Sequence, residues 1–350
     1  MTRSPAILFR HWIVLLAILA LAPGCIHSAG VIFPPLTPAI VWPGAPEAPR
    51  IRYVGELVTS DDLKPARRLG EAIDQAIFGK KPIQSMLTPF AVCTDGANRV
   101  FVADAGAQTV HVLDLATRKQ VRWNPPAPYR YFQPVGVAWD PRGRLFVSDS
   151  VGGCIFVFTP TGAFEARIGV GEVTRPAGLA WDGRNSRLLV ADAGNHCVVM
   201  LSADGAVIGR IGRRGTLPGE FNYPTNIAID RQGRVYVSDT LNFRIQQLDP
   251  QLRPVRVIGR KGDMPGCLSS PKGIAVDSED HLYVMDAQFE AIQVFDAQGQ
   301  LLLSFGEEGR GPGQFWLPAG MFIDSHDRIW VADAYNRRLQ VFDYVPENRP

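Results

Sequence analysis

Aspartate residues recur along the chain at nearly constant intervals. Aspartate carboxylates are common ligands of divalent cations, so a regular series of them could form a metal site. Six of them end short apolar segments such as VFVAD and LYVMD, with steps of 45, 43, 47, 47 and 47 residues. They are Asp104, Asp149, Asp192, Asp239, Asp286 and Asp333. A residue that returns in every repeat usually satisfies a local turn by accepting backbone N–H bonds. We therefore assign these aspartates a structural role and predict no metal site and no cofactor.

A second marker keeps the same step and defines the repeat. Six prolines each precede a short apolar strand that ends in another aspartate, and they are Pro89, Pro134, Pro176, Pro224, Pro271 and Pro318. The aspartates are Asp95, Asp140, Asp182, Asp230, Asp277 and Asp324. Within one period the strands are short and are separated by Asp-x-x-Gly turns, which suit hairpins. Each unit is thus predicted to be a four-stranded antiparallel meander.

The architecture follows from the second strand of each unit, which is almost wholly apolar and must be covered on both faces. Radial stacking of the units covers it, and the period fits a β-propeller. The sixth unit lacks a fourth strand, whereas residues 50–57 near the other end supply one. We predict an all-β, six-bladed propeller over residues 50–345, closed by this N-terminal strand and followed by a tail at 346–350.

The order Pro-x-Gly-Ile-Ala-Val-Asp, Leu-Tyr-Val-x-Asp and Asn-x-Arg resembles the NHL repeat. Units four to six also share a linker of the form Gly-x-x-Gly-x-x-x-Gly-x-Phe or Leu. The resemblance implies that Arg244 and Arg338 support their loops. Cys154 and Cys197 hold the equivalent place in adjacent units, where the outer strands diverge, so we expect no disulfide between them.

Residues 60–84 fit no blade. Ser60 could cap a helix near 61–78, and Leu63, Leu69, Ile73 and Ile77 would form its apolar stripe. Such a helix would either pack on the propeller wall or dock another protein or the membrane.

The first 24 residues have the layout of a signal peptide, because two arginines precede an apolar run too short to cross a bilayer as a helix. The run ends in LAPGC, which resembles the lipobox of bacterial lipoproteins and makes Cys25 the expected lipidation site. Cleavage near Ser28-Ala29-Gly30 is the alternative. A Pro-rich stretch follows, so residues 25–49 are predicted to be a semi-extended tether. We expect the protein to be exported and lipid-anchored in a bacterial cell envelope, in the periplasm or at the outer membrane.

The loops between strands two and three and the linkers between blades should share one rim, which we call the loop rim. Its candidate binding residues are His196, Arg213, Arg214, Phe243, Arg260, Lys261, Phe289, Tyr335 and Arg337, with Glu290 and Arg310 beside them. Aromatic and arginine side chains together are typical of interaction surfaces. Near the axis, the third residue of the first strand is small in five blades, and Asn226 is the exception, so Asn226 is the channel candidate.

These features favour a binding or scaffold propeller that engages a protein or an extended ligand through the loop rim. Removal of residues 1–24 leaves 34 basic and 34 acidic residues, so nucleic-acid binding is not expected. The alternative is a metal-dependent lyase or lactonase in the central channel. Against it, the histidines are scattered along the repeats, and no nucleophile-elbow motif is present.

Overall fold

The computed structural model describes residues 30–64 and 83–347. Internal contacts divide the chain into two units, of which the second comprises residues 32–63 and 83–350. The first unit, residues 1–31 and 64–82, lies almost entirely outside the described residues. The predicted signal peptide, Cys25 and most of the predicted helix also lie outside them. No helix in the described ranges has the length and apolar character needed to cross a bilayer.

The second unit consists almost entirely of strands. In chain order they are β1 (Val41–Trp42), β2 (Ile51–Leu57), β3 (Pro89–Thr94), β4 (Arg99–Asp104), β5 (Thr109–Asp114), β6 (Lys119–Trp123), β7 (Pro134–Trp139), β8 (Leu145–Asp149), β9 (Cys154–Phe158), β10 (Phe164–Ile168), β11 (Pro176–Asp182), β12 (Arg187–Asp192), β13 (Cys197–Ser202), β14 (Val207–Ile211), β15 (Pro224–Ile229), β16 (Val235–Asp239), β17 (Arg244–Leu248), β18 (Pro254–Ile258), β19 (Pro271–Val276), β20 (Leu282–Asp286), β21 (Ala291–Phe295), β22 (Leu301–Phe305), β23 (Glu307–Glu308), β24 (Gln314–Phe315), β25 (Gly320–Ile323), β26 (Arg328–Asp333) and β27 (Arg338–Tyr344).

Twenty-five of these strands form six antiparallel sheets, which confirms the predicted number of blades. The other two, β23 and β24, pair in parallel with each other in the linker to blade 6. Blades 1 to 5 are four-stranded meanders of consecutive strands, from β3–β6 to β19–β22. Blade 6 has the order β1-β2-β27-β26-β25. The second strand of each blade is buried along nearly its whole length, as in Leu145–Asp149 and Val235–Asp239, where every residue is buried. The core therefore lies between neighbouring blades.

Small residues let the first strands of neighbouring blades approach one another closely. A Cβ atom added at Gly136 would lie 2.2 Å from the carbonyl oxygen of Ala177 in the next blade. At Gly320 it would lie 2.4 Å from the carbonyl oxygen of Phe90, across the junction of blades 6 and 1. Neither position has room for a side chain, which explains why the third residue of the first strand is small in five of the six blades.

The N-terminal strand closes the last blade, as predicted. Strand β2 pairs antiparallel with β27, so that Ile51 lies opposite Tyr344, Tyr53 opposite Phe342 and Leu57 opposite Leu339. Every blade thereby has at least four strands, and blade 6 does not end on the exposed edge of a three-stranded sheet.

In contrast to the semi-extended tether predicted for residues 25–49, the described part of this segment lies against the propeller at Phe33 and Trp42. Strand β1 pairs with β2 as a fifth strand of blade 6. The Trp42 ring packs against Phe305 and Phe342 at centroid distances of 5.6 and 5.9 Å, and Phe33 lies edge-on to Trp330 at 6.4 Å. Apolar side chains among the prolines therefore bind the segment to the propeller.

The described start of the insert also differs from the prediction. It is a single turn of 3-10 helix, Ser60–Leu63. Ser60 lies within this turn and does not cap it, because its hydroxyl accepts the N–H of Gln84 across the base of the insert. The Asp62 carboxylate accepts the N–H groups of Val58 and Thr59 instead. A second 3-10 turn, Thr240–Asn242, lies in a blade 4 loop.

Candidate functional site

The repeated aspartates bring the loops and the linkers to the same end of the propeller. Each carboxylate ends a second strand, is fully buried and accepts N–H groups from the linker that enters its blade. Asp104 accepts from Leu87 and Thr88 at 2.7 and 2.9 Å, and Asp333 accepts from Trp316 at 2.9 Å. The corresponding bonds occur at Asp149, Asp192, Asp239 and Asp286. The aspartates thus hold the loop rim together.

Asp104 shows how such a carboxylate tolerates burial. Burial alone would raise its pKa, but the hydrogen bonds from His111 and from backbone N–H groups outweigh this effect, and the pKa lies below its ordinary value. The His111 ring is fully buried, with Nε2 3.0 Å from the Asp104 carboxylate and Nδ1 2.9 Å from the Gln120 amide. His111 is therefore engaged within blade 1.

Arg244 and Arg338 bind the linkers of their own blades. Arg244 Nε donates to the Asp239 carboxylate at 2.8 Å, and its other nitrogens donate to the carbonyls of Thr216, Leu217 and Glu220. Arg338 repeats this pattern with Asp333 and with the carbonyls of Arg310, Gly311 and Gln314. These contacts are those of a side chain that holds a loop in place.

Sequence reasoning missed a glutamine that performs a related task. Gln246, Gln293 and Gln340 are 47 residues apart, and each accepts the N–H of the third linker glycine at 2.8 to 2.9 Å. Their amide nitrogens donate to carbonyls of the same linkers. The signal was available, because the glutamines recur in the three units that carry the glycine linker.

The predicted rim residues differ in their surroundings. Lys261 Nζ lies 4.9 Å from the Phe243 ring centroid, so linker and loop meet there. His196 accepts the Tyr223 N–H at 3.0 Å through Nδ1. Glu290, which we expected to be displayed, is buried and accepts the Leu317 N–H. His196, Phe243, Glu290 and Arg337 all have positive φ angles of 52–58° at the same point of the loop, immediately before the third strand.

The remaining rim candidates are spread over the linkers and loops of blades 4 to 6. Arg213 is paired with Glu220 at 2.8 Å, and this pairing lowers the pKa of the Glu220 carboxyl. Arg214, Arg260 and Arg337 are exposed, whereas Phe289 is partly buried and its N–H donates to Asp286. No contact joins Phe289 to the other aromatic candidates among the described residues.

An aromatic cluster on the rim at blade 6 joins the candidates Arg310 and Tyr335 to Trp316, which the sequence did not indicate. The Arg310 guanidinium is 5.0 Å from the Trp316 ring centroid, and Trp316 contacts Tyr335 at 5.5 Å. Trp316 is 37% exposed and Tyr335 56% exposed. Trp316 was missed because a linker residue before the marker proline has no periodic pattern.

Two further cation–aromatic pairs lie on the loop rim. Arg130 stands over Phe132 at 4.7 Å in the linker to blade 2, and Arg175 over Tyr223 at 5.7 Å between the linkers to blades 3 and 4. They join the Phe243 and Trp316 pairs on the described rim. Cation–π pairing keeps an aromatic face ordered while part of it stays accessible.

The first strands of all six blades line a central cavity of about 540 Å³, and Asn226 is one of its wall residues. The described residues contain no group of three or more His, Cys, Asp or Glu side chains that could hold a metal. His281 is bound to Asp277 at 2.9 Å, and His326 is exposed on a different turn. Cys93, Cys154, Cys197 and Cys267 are buried and free.

Comparison with known proteins agrees with this geometry. Residues 267–345 match a family model described as a 6-bladed beta-propeller, and residues 221–248 match the NHL repeat. No curated protein matches the sequence.

Among solved structures, the chain is similar to virginiamycin B lyase from Staphylococcus aureus, with 15% identity and a TM-score of 0.55 over 74% of this chain and 96% of that one. It is also similar to an auxiliary nutrient binding protein from Bacteroides thetaiotaomicron, with 12% identity and a TM-score of 0.59 over 74% and 69%. Identities this low show the fold alone. The chain is thus an all-β, six-bladed propeller that carries an NHL repeat.

Proposed function

We propose that this chain is a non-catalytic binding propeller, tethered to a bacterial membrane through Cys25, that engages a protein partner or an extended ligand across its loop rim. The tether rests on the sequence pattern of residues 1–25. The binding surface rests on the described rim, and the one observation that carries it is the set of cation–aromatic pairs there.

Three properties of these pairs support binding. They come from linkers and loops that buried aspartates hold to rigid blades, so a partner meets a preformed surface. Aromatic and arginine side chains supply most of the binding energy at protein interfaces. Exposed apolar side chains accompany them, with Leu241 at 50% and Leu217 at 63% exposure.

We expect a partner with acidic and apolar groups, because arginine, lysine and aromatic side chains are exposed together on the rim. A partner of that kind can pair with the cations and cover the aromatic faces at the same time. The lyase and the nutrient-binding protein of similar structure share the fold with this chain.

Site-specific photo-crosslinking in native membranes tests the proposal. A benzophenone amino acid is placed at Tyr335 on the rim or at His326, which is exposed on the opposite end. We expect an adduct of defined mass from Tyr335 that is absent from His326. The adduct should be lost when Arg310 and Trp316 are changed to alanine. The same adduct from both positions would contradict the rim assignment.

A further inference from the structure

The residues that line the central cavity lie toward the end of the propeller away from the loop rim. The cavity extends from the ring of small residues at Gly136 and Gly178 to the turns between first and second strands, where Gly96, Pro141 and Ser325 line it. These turns lie at the end of the blade opposite the buried aspartates of the rim. The volume of about 540 Å³ is in the range of small-molecule sites in proteins.

Apolar side chains form a large part of the cavity wall because one strand position repeats around it. The last residue before each turn aspartate is partly exposed and lines the cavity, and the six residues are Thr94, Trp139, Trp181, Ile229, Val276 and Ile323. The two tryptophans stack on the preceding blade, Trp139 on Phe101 at 4.9 Å and Trp181 on Phe146 at 5.7 Å. Their rings are therefore fixed in place.

The carboxylates at this end of the channel have partners outside the cavity. Asp95 and Asp140 accept arginine Nε groups at 2.7 and 2.9 Å. The other turn aspartates bind an arginine, a histidine or a tryptophan as well as turn N–H groups, and they are Asp182, Asp230, Asp277 and Asp324. The cavity wall thus offers no unpaired carboxylate to a cation, and the arginines that pair with Asp95 and Asp140 are already engaged.

One polar side chain stands out in the wall. Asn226 takes the place that glycine or alanine has in the other blades, and it lies against Gly178 of blade 3. No hydrogen bond to its side-chain amide is found among the described residues, and Asn226 is partly exposed. An amide has two donors and an acceptor to satisfy, so it is available to a ligand that enters the cavity.

We propose that this cavity is a binding site for an uncharged, mainly apolar small molecule that carries one carbonyl or amide group. The aromatic and aliphatic wall covers the apolar part, and the Asn226 amide binds the polar group. The paired carboxylates leave the site without a counter-charge, so it rejects ions. The site is independent of the loop rim and does not depend on partner binding there.

Prodan, a neutral naphthalene ketone whose emission reports on polarity, tests the site on the full-length protein. We expect saturable binding with a blue-shifted emission, and no competition from the anionic anilinonaphthalene sulfonate. Absence of saturable prodan binding would overturn the proposal.

A variant that fills the cavity locates the bound probe. Val276→Trp places in blade 5 the residue that blades 2 and 3 already carry at this position, so it fits the fold. This variant should weaken prodan binding about tenfold or more, because the added indole ring takes up volume that the bound probe needs. Ile229→Trp is the second variant. Val257→Trp, on the exposed outer strand of blade 4, is the matched control. Equal affinities for all four proteins would place the probe elsewhere and refute the site.

The amide is tested by Asn226→Gly, which is the residue that four other blades have there. Prodan affinity should fall about fivefold or more, as expected for one lost hydrogen bond. Binding of naphthalene without the ketone should not change. An equal loss for both compounds would show that Asn226 acts only on the shape of the cavity.

Discussion

Replacement of Asp239 by alanine tests whether the repeated aspartates hold the rim. The buried carboxylate accepts four hydrogen bonds, from the Asn222 N–H at 2.6 Å, the Asn242 amide at 2.9 Å, Arg244 Nε at 2.8 Å and the Gln246 amide at 3.0 Å. Asp239→Ala leaves these donors without their acceptor, and one of them is a charged guanidinium that is only 11% exposed. We expect the free energy of unfolding to fall by about 3–5 kcal/mol.

Urea denaturation followed by tryptophan fluorescence measures this fall. The matched control is Asp249→Ala, because Asp249 also accepts an arginine Nε and turn N–H groups but its partner Arg253 is 74% exposed. Its effect should be much smaller. In the double variant Asp239→Ala/Arg244→Ala the losses should be less than additive. Equal midpoints for Asp239→Ala and Asp249→Ala would refute the reasoning.

Three further predictions follow from the packing and the pKa values. Trp42→Ala should lower the free energy of unfolding by about 2 kcal/mol, because the half-buried ring covers the core of blade 6, whereas Leu36→Ala, at an exposed site, should leave the urea midpoint unchanged. The hydrogen bond that the protonated His281 ring donates to the Asp277 carboxylate raises the pKa of His281 above its ordinary value of 6.5. The wild type should therefore be more stable than His281→Gln at pH values below 6.5, and this difference should disappear as the pH rises through the raised pKa of His281. Denaturation measured from pH 5 to pH 9 would show the change. Burial raises the pKa of both Cys154 and Cys197 to about 11, so iodoacetamide at pH 8 should alkylate them only after unfolding, and mass spectrometry of the native protein should show neither modified.

The sequence was sufficient to predict the fold because each blade buries the same positions, and the same residue types therefore recur at these positions. An apolar second strand, a marker proline and a terminal aspartate recur wherever the same packing recurs. The closure of blade 6 by the N-terminal strand could be predicted for the same reason, since a blade with three strands requires a fourth.

The rim and the N-terminal segment were harder to predict because their contacts have no period. Trp316 meets Arg310 and Tyr335 only after the linker has folded back on its blade. Trp42 lies among prolines, and this composition favours an extended chain. Composition does not reveal that the Trp42 ring packs on blade 6. Glu290 illustrates the opposite error, since a charged loop residue is buried when it accepts an N–H from a neighbouring linker.

The pairing of β2 with β27 has a consequence for biosynthesis. Ile51 leaves the ribosome long before its partner Tyr344 is made. The two strands can join only after the intervening five blades have been synthesised. Of the strand pairs in the described residues this one has the largest sequence separation, so its formation should be slow. A nascent or prematurely terminated chain would carry an unsatisfied strand at its beginning, which a chaperone or a protease can recognise before the ring is complete.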